Sequence, residues 1–259
     1  MKDKNLKSNM LIKLSIAGAV CIAIAVYFLH EEPEMKIETN SVTTPTNLKA
    51  ALDDKKAAFT ATASEDVKTA YADGIRSVTE RGILARAKQL GDAAPDFALT
   101  NAKGDTVRLS DYLKQGPVIL TWYRGGWCPY CNLTLNALQQ ALPSFKAAEA
   151  NLIALTPELP DKSLSTADKN ALEFEVLSDI GNKVAREYGI VFKLTDAVAK
   201  MYEEKFGMSK YNGDDSNELP LAATYIINSE GKIIYAFLDA DYRNRAEPSA
   251  ITAILNEQK

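Results

Sequence analysis

The stretch 121–135, TWYRGGWCPYCNLTL, constrains this chain more than any other. It continues the apolar run Val118-Ile119-Leu120, which reads as a buried strand. It turns through Gly125 and Gly126 and leaves as a helix starting at or near Pro129, because proline is well tolerated at the first helical position. Cys128 and Cys131 flank that turn, three residues apart, so both sulfurs fall on one side of the first helical turn.

That placement has a chemical consequence. The first N–H groups of a helix lack internal partners and point out of its N-terminus with the positive end of the dipole. A cysteine with an ordinary pKa near about 8.5 falls to roughly 3.5–7.5 in such settings. Arg124, just upstream, adds a fixed positive charge. The motif predicts a reactive dithiol. A zinc site is the competing reading, but structural zinc takes four ligands. Only Cys21 and His30 remain to complete it, and both lie in or beside an apolar N-terminal run. An inert buried pair would not need a strand-to-helix turn with a proline between the sulfurs.

The remaining composition narrows the chemistry. A net charge of −4 argues against nucleic acid as a partner. The single histidine, His30, lies too near the N-terminal run to serve a Ser-His-Asp or Cys-His mechanism. Acid–base help therefore falls to Arg, Glu, Asp, Thr or Tyr.

Residues 1–9 carry Lys2, Lys4 and Lys7, and residues 10–29 are apolar apart from Lys13 and a few small residues. A membrane span needs roughly 20 apolar residues. The lysine bias puts residues 1–9 in the cytoplasm and the rest of the chain beyond the membrane. A cleaved signal peptide and a lipoprotein site at Cys21 are alternatives. An uncleaved anchor is preferred, because the small-x-small site Ala23-Ile24-Ala25 lies inside the run and bulky Val20 precedes Cys21. All three readings export the domain. Residues 30–46, with Pro33 and Pro45, read as a linker.

Residues 47–90 read as a helical arm. Val67, Tyr71, Ile75 and Val78 mark one helix face, and Ser64 with Glu65 and Asp66 marks a start. Packing on the main domain is the plain expectation for this arm, and dimerisation or partner binding the sharper one. From Gly91 onward short strands alternate with helices. Hairpins are expected across 101–105 and 228–231, core strands at 117–123 and 152–155, and helices from Pro129, at 196–206 and from Pro248. Pro143 is expected to kink the first of these helices. The pattern predicts an α/β domain over 91–257 with a mixed central sheet flanked by helices.

Several stretches in order carry a family resemblance: GDAAPDF at 91–97, TWYRGGWCPYC, VLSD at 176–179, EYG at 187–189 and TYIINSEGKI at 224–233. The chain resembles a peroxiredoxin of the alkyl hydroperoxide reductase/thiol-specific antioxidant type. The resemblance implies a thioredoxin-like fold and thiol-dependent peroxide reduction with no cofactor. It implies a hydroperoxide substrate and an external dithiol reductant such as a thioredoxin-like protein. Cys131 aligns with the family's peroxidatic cysteine. Cys128 stands where the family has Thr or Ser three residues earlier, and Arg124 where it has Pro seven residues earlier. The family also places an arginine beside the thiolate, for which Arg124, Arg243 and Arg245 are candidates.

A Cys-x-x-Cys belongs equally to thioredoxin-like reductases, in which the first cysteine, here Cys128, is the nucleophile. Those proteins set a proline against the dithiol ahead of a strand. Pro220 is the candidate, although Ala222 lies nearer the strand at Thr224. The sequence thus predicts a peroxidase acting through a Cys128–Cys131 disulfide. An exported thiol–disulfide oxidoreductase is the alternative, and a non-enzymatic redox sensor the third option.

Overall fold

The computed structural model describes residues 47–101 and 103–258. The expected cytoplasmic stretch, membrane span and linker, with Cys21 and His30, lie outside the described residues. Among the described residues no helix is long and apolar enough to cross a membrane.

Two long helices open the described chain, α1 (Leu48–Thr62) and α2 (Glu65–Glu80), followed by a single turn, α3 (Ile83–Arg86). Asn47 caps α1 by accepting from the Ala50 N–H at 3.0 Å, which satisfies one of the orphan donors at a helix start. Val78 on α2 is buried, and Tyr71 and Ile75 pack against the core on the face that the sequence spacing marks.

A hairpin of β1 (Ala98–Thr100) and β2 (Thr106–Arg108) follows, then the short helix α4 (Leu109–Leu113). The main body comprises β3 (Val118–Trp122), α5 (Pro129–Ala147), β4 (Asn151–Thr156), α6 (Pro160–Lys169), β5 (Glu175–Ser178) and α7 (Lys183–Glu187). It continues through β6 (Val191–Lys193), α8 (Asp196–Phe206), α9 (Met208–Asn212), β7 (Glu218–Pro220), β8 (Thr224–Ile227), β9 (Ile233–Phe237) and α10 (Pro248–Glu257). α5 runs on past Pro143 to Ala147.

Five strands form the central sheet in the order β5-β4-β3-β8-β9. β3, β4 and β5 are parallel, while β8 and β9 are antiparallel to their neighbours. This is the thioredoxin-like arrangement, a mixed sheet with helices on both faces. All five residues of β3 are buried, as expected of a central strand covered on both sides. Its side chains alternate between two cores. Val118, Leu120 and Trp122 join the larger one, and Ile119 joins a smaller one with Leu138 and Phe145 of α5 and Ile251 of α10.

β6 and β7 form a separate two-stranded ladder with the register Val191↔Pro220, Phe192↔Leu219 and Lys193↔Glu218. It is further tied by the Arg186–Glu218 ion pair. Each strand has three residues, too few for an alternating pattern to show in sequence. The first two helices are packed onto the domain. Leu48 and Leu52 of α1 are buried in its core, α1 lies on α5, and Gly74 of α2 sits against Val198 of α8.

Candidate active site

The site lies beyond the carboxyl ends of β3 and β4, the usual place for chemistry on an open α/β sheet. β3 ends at Trp122, and residues 123–128 form the loop into α5. Gly125 has φ +152°, and a Cβ there would fall 2.2 Å from Trp127 Nε1. A Cβ on Gly126 would fall 2.1 Å from Thr166 Oγ1 of α6. The two glycines therefore let the loop close tightly over the strand end.

Hydrogen bonds lock the loop in place. Glu158, fully buried just after β4, accepts from the Gly126 N–H at 2.9 Å and from the Thr166 hydroxyl at 3.3 Å. Asn132 Nδ2 donates to Gly126 O at 2.8 Å and to Cys128 O at 3.1 Å, while its Oδ1 accepts from Asn170 Nδ2 at 3.0 Å. Asn170 Nδ2 also donates to Thr166 O at 2.8 Å. Glu158 and Asn132 thus hold the loop backbone, and Thr166 and Asn170 hold those two side chains in turn.

Cys128 is the N-cap of α5, Pro129 is its first residue and Cys131 its third. Both cysteines are buried and unbridged. The Cys131 sulfur accepts from the Arg124 backbone N–H at 3.4 Å and from Arg245 Nη2 at 3.5 Å. A proline at position 124 would have no N–H to give. The replacement of the family's proline by arginine therefore adds a donor to the sulfur.

Burial opposes ionisation of Cys131. The hydrogen bond from Cys128, the charges of Arg245 and Arg124, and the Arg124 N–H outweigh it and hold the thiol well below its ordinary pKa. Cys128 goes the other way. Burial, its hydrogen bond to Cys131 and the Cys131 charge push it well above, against the pull of Arg124 and Arg245. The surroundings thus favour ionisation at Cys131 over Cys128.

The Arg124 guanidinium is 1% exposed and enclosed by aromatic rings. Its centre lies 4.0 Å from the Tyr242 ring, 4.9 Å from Tyr202 and 5.2 Å from Trp127, within cation–π range. Its Nε and Nη1 have no hydrogen-bond partner among the described residues. Two buried donors on the wall of the cleft that Cys128 shares are groups available to an incoming oxygen. A cleft of about 450 Å³ opens here, lined by Cys128, Arg124, Trp127, Tyr202, Tyr242 and, from α1, Phe59.

Of the residues singled out in the sequence, the structure gathers Cys131, Cys128, Arg124 and Arg245. Arg243 instead forms a two-pronged ion pair with Asp241, both contacts at 2.7 Å. Pro220 belongs to β7, paired with Val191 of β6, and Trp122 N–H at the end of β3 bonds to Ala223 O. It is Ala223 and Thr224 that face the end of β3. The Thr224 and Thr121 hydroxyls lie 2.9 Å apart. Sequence reasoning missed Glu158, Trp127, Tyr202 and Tyr242. Glu158 carried a signal, a carboxylate directly after an apolar strand that ends beside the motif. Tyr202 carried none, because it reads as one more apolar position of α8. Among the described residues no cluster of three or more His, Cys, Asp or Glu side chains could hold a metal ion.

The AhpC/TSA family model matches residues 90–236, more than half of the chain. The chain is 28% identical over 173 residues to "Peroxiredoxin Q, chloroplastic" of Triticum aestivum, covering 67% of each protein. It is 27% identical over 150 residues to "Peroxiredoxin Bcp" of Escherichia coli (strain K12), covering 58% of this chain and 85% of that one. Among solved structures, peroxidoxin BcpB of Mycobacterium tuberculosis superposes with a TM-score of 0.53 at 20% identity, covering 66% of this chain and 98% of that one. The last likeness is one of fold. The matched segment contains both cysteines, Arg124 and Glu158, and on the length of that match the chain belongs to the AhpC/TSA family.

Proposed function

We propose that the protein is a peroxiredoxin-type thiol peroxidase that reduces hydrogen peroxide or organic hydroperoxides through Cys131. The Cys131 thiolate attacks one peroxide oxygen, the O–O bond breaks, and the other oxygen leaves as water or alcohol after taking the Cys128 proton. Cys131 is then a sulfenic acid. Cys128, now a thiolate, displaces hydroxide from it, the hydroxide takes a proton from solvent and leaves as water, and a Cys128–Cys131 disulfide forms. An external dithiol, of the kind a thioredoxin-like protein carries, restores both thiols by exchange. Arg124 and Arg245 hold the attacking anion, and the unspent N–H groups of Arg124 stabilise charge on the peroxide oxygens.

The observation that carries this reading is the setting of the Cys131 sulfur, at the third residue of α5 between the Arg124 N–H and Arg245 Nη2. Rapid mixing with hydrogen peroxide tests it on the wild type, Cys131→Ser and Cys128→Ser. Cys131→Ser should not be oxidised. Cys128→Ser should be oxidised once and then fail to turn over with a dithiol donor. Full activity in Cys131→Ser would sink the assignment.

One observation favours a second reading. The cleft reaches Cys128 rather than Cys131, which suits an exported thiol–disulfide oxidoreductase with Cys128 as the sulfur attacked or attacking. Reduction of a protein disulfide without peroxide turnover would select it. The flanking lysines and apolar composition of residues 10–29 support placing this chemistry outside the cytoplasm on a membrane anchor. Separating membranes from soluble protein, with and without alkaline extraction, tests that placement. A homodimer through residues 47–90 remains part of the proposal, and sedimentation checks it.

A further inference from the structure

The loop between β9 and α10 carries Arg245 to the Cys131 sulfur, and it is fastened from outside the family segment. Within itself the loop is knit by short polar contacts. Asp239 accepts from the Asp241 N–H at 2.7 Å and from Asn244 Nδ2 at 2.8 Å, and Arg245 Nη1 donates to Asn244 O at 2.8 Å. Its outward ties run to the two N-terminal helices. Glu247 presents one carboxylate oxygen to the Leu48 N–H at 3.1 Å and the other to the Lys49 N–H at 3.0 Å, so this side chain caps the start of α1. Lys56, two turns further along α1, lies 3.7 Å from Asp241. Tyr242, the ring nearest the Arg124 guanidinium, lies 6.4 Å from Tyr71 of α2.

We propose that α1 sets the reactivity of Cys131 by holding this loop in place, with Glu247 as the positioning residue. The argument is geometric. A carboxylate on the first two free N–H groups of a helix is a favoured contact, strengthened by the helix dipole. Its loss removes the side-chain tie to α1 two residues from Arg245, leaving residue 247 held through its backbone at the start of α10. α1 itself cannot follow the loop, because Leu48 and Leu52 anchor it in the core over α5, the helix that carries both cysteines. The charged and titratable groups that face Cys131 are Arg245, Arg124, Cys128, Glu158 and Tyr123. Of these, Arg245 alone comes from the tethered loop. Neither α1 nor the loop falls within residues 90–236, the segment that the family model matches. It rests on the reading of Cys131 as the reactive thiolate.

The experiment compares the full-length protein carrying Cys21→Ser and Cys128→Ser, in which Cys131 is the one remaining thiol, with the same protein carrying Glu247→Ala, each with and without Arg245→Met. Two readouts are taken: ultraviolet thiolate absorbance of Cys131 against pH, and its rate of alkylation by iodoacetamide. Glu247→Ala should raise the apparent Cys131 pKa by about one unit, and so cut the thiolate fraction roughly tenfold at pH values below it. In the Arg245→Met background the same change should add nothing, because the group it positions is already gone. A merely structural residue would lower stability yet leave the thiolate titration where it was, and that result overturns the proposal. An equal effect with and without Arg245 overturns it too.

Should Glu247→Ala fail to fold, Lys56→Glu, at a half-buried position, breaks the second tether and is judged on the same criteria. The two levels of failure are separable. A wild-type Cys131 without a low-pH thiolate sinks both the functional reading and this one. A normal wild-type titration that Glu247→Ala leaves unmoved sinks this one alone.

Discussion

Replacing Arg245 by methionine tests the electrostatics of the site most directly. Arg245 Nη2 lies 3.5 Å from the Cys131 sulfur, and the side chain is nearly buried. At an effective dielectric of about 20, two unit charges at that distance attract by roughly 5 kcal/mol. The guanidinium charge is spread over three nitrogens, so its mean distance is longer and about 3 kcal/mol is the better figure. That corresponds to about two pKa units, inside the range of roughly 1–3 found for an opposite charge at contact. Methionine keeps an unbranched apolar stem of similar reach and removes only the charge and its donors.

The expected result is a Cys131 pKa raised by about two units, followed by thiolate absorbance in the Cys128→Ser background. The oxidation rate should fall with the thiolate fraction. Stability should follow with a definite sign. A thiol whose folded pKa is depressed stabilises the fold fully above its unfolded pKa, and that contribution is lost as the pH falls through the folded value. Arg245→Met should therefore flatten the rise of unfolding free energy toward alkaline pH. A pKa shift below about half a unit would mean that Arg124 and the helix terminus hold the anion unaided, and the argument from Arg245 would fail.

Other consequences follow from the same geometry. Glu158 is raised above the ordinary carboxylate range by burial, against the pull of the Gly126 N–H and other donors; its stabilising contribution is present below the unfolded pKa and lost as the pH rises through the folded one. Urea unfolding across pH should show that decline in the wild type and not in Glu158→Gln, and parallel curves would refute it. Gly126→Ala must displace Thr166 Oγ1 and should cost about 1–3 kcal/mol, with part recovered by adding Thr166→Ser if the hydroxyl can rotate away; a neutral Gly126→Ala on thermal melting would mean the loop is looser than its contacts imply. Tyr242→Leu removes the closest ring over Arg124 and should cost about 2 kcal/mol, whereas Tyr242→Phe keeps most of the interaction. Equal losses in the two variants, measured by denaturant midpoint, would point to the hydroxyl instead.

How far the sequence reaches is clearest at particular elements. β8 and β9 stand at 224–227 and 233–237, the ranges the hairpin pattern marks, because a run of alternating and apolar residues around Asn228–Gly231 leaves little other choice. α8 spans 196–206 as read, since Gly207 at φ +64° ends it. β6 and β7 escaped, because three-residue strands draw their pairing from a partner about twenty-five residues away rather than from their own pattern. Arg243 and Arg245 looked equivalent in sequence. Asp241 sits two residues before Arg243 and captures it, while the next turn of the loop aims Arg245 at sulfur.

By itself the sequence determined the Cys128–Cys131 spacing, its place at a helix start after a buried strand, and the layered α/β domain around it. Those properties depend on residues close together along the chain, where helix termini, proline and apolar periodicity act locally. Only the tertiary structure decided which sulfur meets the Arg124 N–H and Arg245, and what surrounds the Arg124 guanidinium. These depend on Glu158, Tyr202, Tyr242, Arg245 and Glu247, brought to Cys131 from elements far along the chain. A burial cost and a contact at 3.5 Å exist only once the chain has closed on itself.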